Sequence, residues 1–134
     1  MGDTKVTIRI TRVQDGEKAE DKYEGSCREI NGRLHVTFTE RQEDGSAIAH
    51  LLKVSSEGME WARSGAVKNK VVFKAGTCLP FLFATSQGDI KLDLTTHDYS
   101  YTKKDTHMIS MSYTLSQGGC PLSEYETEIV IFTD

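Results

Sequence analysis

The sequence predicts an all-β protein, a single antiparallel up-and-down barrel of about 8–10 strands. Three observations predict it. Turn signals recur at short and fairly even intervals, the segments between them alternate apolar and polar residues with a period of two, and no segment carries a convincing helical repeat. Closing such a sheet on itself removes the exposed edges that uncovered strands would otherwise present.

The turns come in order at Asp15-Gly16, Asn31-Gly32, Asp44-Gly45, Glu57-Gly58, Gly65 to Asn69, Ala75-Gly76, Gln87-Gly88, Lys103 to Asp105 and Gln117-Gly118-Gly119. Asn31-Gly32 is the strongest, because a two-residue type I′ turn needs positive φ at both central positions. Between the turns, Val6, Ile8 and Ile10 oppose Thr7, Arg9 and Thr11. Leu34, Val36 and Phe38 oppose His35, Thr37 and Thr39, and Ile90, Leu92 and Leu94 oppose Lys91, Asp93 and Thr95. Ile109, Met111, Tyr113 and Leu115 oppose Ser110, Ser112 and Thr114, while Tyr125, Ile129 and Ile131 oppose Glu124, Glu126 and Glu128. One wet and one dry face on nearly every strand fits an antiparallel sheet around one interior. Asp15 to Lys22 is charged enough to be a loop or a short solvated helix. There is no internal repeat and no linker, so residues 1–134 form one domain, long enough to bury a core.

The hydrophobic fraction is 37% and the formal net charge is -4, with ten basic and twelve acidic residues through Val67 and six and eight after it. Neither half is a basic arm, which argues against nucleic-acid binding. Cys27, Cys78 and Cys120 form no C-x-x-C pair, and an odd count points to a reducing compartment. The first residues show no charged-then-apolar leader and no myristoylation pattern. The longest apolar stretch, Cys78 to Ala84, contains Pro80 and is too short to span a bilayer. The expectation is a soluble cytoplasmic protein with no membrane partner.

The run Gly58-Met59-Glu60-Trp61-Ala62-Arg63-Ser64-Gly65 holds the only tryptophan and places Arg63 on its face. A buried arginine needs a reason, since buried charge is costly unless paired. Inside a barrel Arg63 would grip a ligand carboxylate or stack on Trp61; alternatively it plugs one barrel end against an acid or strand carbonyls. Trp61, Phe73, Phe81, Phe83, Met111 and Tyr113 would line a cavity for an apolar molecule or fill the core themselves, and Thr85 is in phase with Phe81 and Phe83. His50 shares a face with Ile48, Leu52 and Val54 and reads as a satisfied core histidine before a ligand. His35, His97 and His107 have no metal-ligand spacing, so no metal and no cofactor are expected. Cys120 reads as a surface thiol, His97-Asp98 as a dyad lacking a nucleophile, and the Glu124, Glu126, Glu128 row as a solvated face. No nucleophile elbow, P-loop or dinucleotide fingerprint is present, so no catalysis is expected.

Tyr23-Glu24-Gly25, Asp44-Gly45, Arg63-Ser64-Gly65, Phe73, Phe83-Ala84-Thr85-Ser86-Gln87-Gly88 and Tyr113-Thr114-Leu115 resemble the bacterial YwiB-like family of unknown function. The resemblance spans nearly the whole chain through short motifs, and it implies a calycin-type, lipocalin-like barrel with no assigned activity. This chain departs from the family at Phe81 and Phe83, where the family tends to place Thr and Tyr. A function resting on that tyrosine hydroxyl would be missing here. Two functional expectations follow. The first is a non-catalytic module binding a small apolar or amphipathic ligand in the barrel, with Trp61, Arg63, Phe73, Phe83, Thr85, Met111 and Tyr113 around it. The second is a protein-interaction or structural domain, homodimeric in one version, that uses an outward apolar patch at Val130 and Phe132.

Overall fold

A computed structural model describes residues 3–85 and 87–133. Ten strands follow one another: β1 (Thr4–Gln14), β2 (Glu17–Ile30), β3 (Arg33–Arg41), β4 (Ala47–Val54), β5 (Met59–Gly65), β6 (Asn69–Phe73), β7 (Thr77–Thr85), β8 (Gly88–Lys103), β9 (His107–Gln117) and β10 (Cys120–Thr133). They form one antiparallel sheet in the order β6-β5-β4-β3-β2-β1-β10-β9-β8-β7. Every strand pairs with its chain neighbours except β6 with β7, and β1 pairs with β10, so the sheet curls until β6 and β7 meet in a nearly closed barrel. Among the described residues that seam has no ladder between β6 and β7. The Tyr99 hydroxyl reaches across from β8 to donate to the Ser55 carbonyl at 2.8 Å, and Gly76 N–H donates to the Thr96 carbonyl at 2.9 Å.

The turn signals fall at the strand junctions. Asp15 and Gly16 have φ of 49 and 89, and Asn31 and Gly32 have 52 and 79, so both hairpins turn through two left-handed residues. The loop or helix expected from Asp15 to Lys22 is therefore a turn followed by the start of β2. Its charge has a physical cause. Glu17 to Lys22 pair with β1 on one side, whereas β2 meets β3 only from Gly25 onward, so this arm of the hairpin is exposed.

The inward rows are those the alternation predicts. Val6, Ile8, Val36, Leu52, Val54, Ile109, Ile129 and Ile131 are fully buried and belong to one continuous core. At roughly 1.5–3 kcal/mol for each large apolar side chain removed from water, this core is the main favourable term in the fold. Gly25 allows the sheet to close tightly, because a Cβ there would lie 2.2 Å from the Thr37 carbonyl oxygen. In β8 a bulge between Thr96 and Asp98 inserts one residue, which shifts the inward phase from Leu94 and Thr96 to Tyr99 and Tyr101. Ile90 departs from its expected burial and is 39% exposed, because it lies opposite Phe83 near the tip of the β7–β8 hairpin, beyond the packed core. Among the described residues no helix is long and apolar enough to cross a membrane.

Candidate functional site

The barrel end bounded by the β1–β2, β3–β4 and β5–β6 turns departs from apolar packing. Register brings its polar residues together: Phe38 faces His50, and His50 faces Arg63, which faces Asn69. His50 is 5% exposed and Trp61 is 6% exposed. Trp61 Nε1 can only donate, and it donates to His50 Nδ1 at 3.0 Å. The imidazole proton therefore sits on Nε2, which donates to Glu40 Oε1 at 2.9 Å. His50 is neutral in this tautomer. Burial holds its pKa below the ordinary histidine value and the Arg63 charge adds to this, while the bond to Glu40 opposes both. Phe38 stacks on the imidazole at 4.4 Å between centroids, and Tyr23 stacks on Phe38 at 4.8 Å. Burial, with Glu40 and Asp21 nearby, pushes the Tyr23 phenol up to about 12, so it is protonated at neutral pH.

Arg63 lies beside this row. Its guanidinium carbon is 5.2 Å from the Trp61 ring centroid. Among the described residues it has no ion pair and no hydrogen bond. Burial lowers its pKa most, and the charge of Arg12 lowers it further, while Glu40 is the one carboxylate that raises it. Arg12 follows Val6, Ile8 and Ile10 on the inner face of β1, opposite Thr127 of β10. Both arginines line one small, partly enclosed cavity of about 40 Å³. Its apolar wall is Trp61, Val71 and Phe73, and its hydroxyls are Tyr113 and Thr127, whose oxygens are 3.1 Å apart. Arg12 also borders an open cleft of about 530 Å³ along the β1–β2 hairpin, lined by Gln14, Asp15, Glu17, Lys18 and Ala19. Asn69, the register partner of Arg63, carries a buried side-chain oxygen with no hydrogen-bond partner.

Of the residues expected around a ligand, Trp61, Arg63, Phe73 and Tyr113 meet at this cavity. Met111 does not; it is 4% exposed and packed in the core. Phe83 is a partly exposed residue of the β7–β8 hairpin outside the core cluster. Thr85 ends β7, and its side chain lies outside the described residues. A cavity of about 40 Å³ is far below the roughly 300–1,000 Å³ of a drug-sized ligand pocket. Among the described residues, the inner face at this end is filled by its own side chains and leaves no room there for an enclosed apolar molecule of that size.

Arg12, Glu40 and Thr127 complete this end and were not singled out in the sequence. Their signal was phase: Arg12 continues the Val6-Ile8-Ile10 face, Glu40 the Leu34-Val36-Phe38 face, and Thr127 sits between Tyr125 and Ile129.

The other candidates stay apart. His97 Nε2 bonds Thr114 Oγ1 at 2.7 Å and Asp98 accepts from Ser112 Oγ at 3.1 Å, so the pair is engaged with β9 hydroxyls. Cys120 is exposed, and no group of three metal-ligating side chains occurs among the described residues. Glu124, Glu126 and Glu128 are exposed, as their alternation predicts. Val130 shares their face but is 3% exposed, in register between Arg9 and Met108, so the expected Val130–Phe132 patch is largely covered. The Arg9 guanidinium lies over the Phe132 ring at 5.3 Å. A concavity of about 700 Å³ is an open groove on the outer face around Ser110, Ser112, Glu126 and Glu128, away from the two arginines.

The chain is similar in structure to the ywiB protein from Bacillus subtilis, whose crystal structure superposes with a TM-score of 0.86 at 22% identity, covering 98% of this chain and 93% of that one. No curated protein matches the sequence. A family model described as a domain of unknown function, DUF1934, matches residues 4–129. The chain belongs to this DUF1934, YwiB-like family of unknown function, and it carries the family's barrel.

Proposed function

We propose that this protein is a non-catalytic binding module that holds one end of a small amphipathic molecule at the arginine-lined cavity. The carrying observation is Arg63, a half-buried cation that stacks on Trp61 and, among the described residues, has no acid or carbonyl partner. Arg12 supplies a second cation at the same cavity and also borders the open cleft along the β1–β2 hairpin, so one side chain touches both spaces. The rest of the ligand lies in that cleft, since the barrel core is filled. The non-catalytic reading draws on His50, whose two ring nitrogens are both engaged and leave no lone pair free to take a proton. Location in a bacterial cytoplasm, without nucleic-acid or membrane partners, is part of the same proposal and rests on the acidic composition and the unpaired cysteines.

Native mass spectrometry of the protein titrated with small amphipathic molecules tests the reading. Saturable one-to-one complexes are expected, weakened in an Arg63→Met variant. Uptake that is indifferent to Arg63, or no uptake at all, overturns it.

The alternative, an interaction or structural domain acting through its outer surface, draws on the β7–β8 hairpin. There Leu82 and Ile90 are 56% and 39% exposed, on and beside the end strand β7. A homodimer built there would show in sedimentation across micromolar concentrations. A strictly monomeric protein would count against that version.

A further inference from the structure

We infer that the group held between Arg12 and Arg63 is a carboxylate, so that the protein takes small organic acids rather than neutral amphipaths. The inference rests on the binding reading above and adds the chemical class of the ligand.

Charge comes first. The described lining of the cavity carries two guanidiniums, Arg12 and Arg63, and no carboxylate, so the group that enters it is matched best by an anion. Desolvated guanidiniums bind carboxylates through paired, charge-assisted hydrogen bonds.

Size comes second. A cavity of about 40 Å³ admits only the end group of a ligand. A planar carboxylate of three heavy atoms fits so small a space more readily than a tetrahedral phosphate of five.

Hydrogen-bond supply comes third. Tyr113 and Thr127 share one bond at 3.1 Å, which uses one of their two hydroxyl protons and leaves the other for an acceptor in the cavity. The cavity wall of Trp61, Val71 and Phe73 then faces the first carbons of the acid. The remainder passes Arg12 into the polar cleft, whose wall carries Gln14 and Lys18 together with Asp15 and Glu17.

The lone tryptophan offers a direct readout. In ¹H–¹⁵N spectra of the intact chain, the Trp61 indole cross-peak is followed during titration with butyrate, octanoate, butyramide, octanol and inorganic phosphate. The expected result is a saturable shift with the acids, at least about tenfold weaker with the amide and the alcohol. Arg12→Gln and Arg63→Gln should each weaken acid binding by about tenfold or more, the loss of a charge-assisted contact. If octanol binds as well as octanoate, the carboxylate inference is overturned while the amphipathic-ligand reading stands. Phosphate binding in preference to the acids also overturns it, in favour of a phosphate group. No shift with any probe overturns both. The comparison of acid with amide is made on the unaltered protein, so it decides the matter even if a variant fails to fold.

Discussion

The bond between Trp61 and His50 can be tested by a double-mutant cycle. Trp61→Phe keeps an aromatic ring but removes the Nε1 donor, leaving His50 Nδ1 buried at 5% exposure without a partner. An unsatisfied buried polar group costs about 1–3 kcal/mol, and the smaller ring adds about 1 kcal/mol for the space it leaves. His50→Leu has the reverse effect. It strands the Trp61 N–H at 6% exposure and frees Glu40, whose side chain is 33% exposed and is solvated by water. In the double variant neither ring nitrogen remains to be satisfied. Its loss of stability should therefore be smaller than the sum of the two single losses by about 1–2 kcal/mol. Urea denaturation followed by far-UV circular dichroism is the assay, because Trp61→Phe removes the only tryptophan and its fluorescence. The urea dependence should keep its slope, so that midpoints report stability alone. Losses that simply add, to within about 0.5 kcal/mol, would refute the hydrogen-bonded row.

Three further outcomes are expected. Gly25→Ala should cost about 2–3 kcal/mol in the same urea assay, because the new methyl meets the Thr37 carbonyl oxygen at 2.2 Å and two strands must part; a neutral effect would mean that the sheet is not closed tightly there. Tyr99→Phe should cost about 1 kcal/mol and speed amide exchange in the β4–β5 turn, since it removes the 2.8 Å bond to Ser55 across the seam. Acidification should reveal His50: its folded pKa lies below its ordinary value of 6.5, so the unfolded chain takes up the proton first. The stability His50 contributes is then present above pH 6.5 and is lost as pH falls toward the folded pKa, by at most about 1.4 kcal/mol per pH unit. His35 and His107 are lowered in the same direction by burial, so the difference between the wild type and His50→Leu isolates this residue. Equal pH profiles for the two proteins would refute the assignment.

The fold was legible because its signals are local. Glycine-bearing turns mark the strand junctions, and a period of two sorts each strand into an inner and an outer face. The misreadings share a cause as well. Glu17 to Lys22 are charged because one edge of that hairpin arm lacks a partner, and Ile90 is exposed because its hairpin outruns the core. Neither fact is visible from alternation, which gives the direction of a side chain but not how far the barrel extends.

The candidate site was half legible for a related reason. Trp61 and Arg63 stand out together on one short strand, whereas Arg12, Glu40 and Thr127 reach the same end from β1, β3 and β10. Only strand register brings them together. Phe83 shares the correct parity but lies toward the tip of the β7–β8 hairpin, and Met111, in register with Thr127, packs into the core without lining the cavity; parity alone separates neither from the site.

The most direct test of the central claim, that Arg63 serves a ligand and not the fold, is the unfolding free energy of Arg63→Met. Methionine keeps the stem against Trp61 and removes the charge. Replacing a half-buried cation that has no ion pair or hydrogen bond among the described residues should leave stability unchanged to within about 1 kcal/mol. A loss of about 2 kcal/mol or more would contradict the account and make Arg63 an anchor of the barrel.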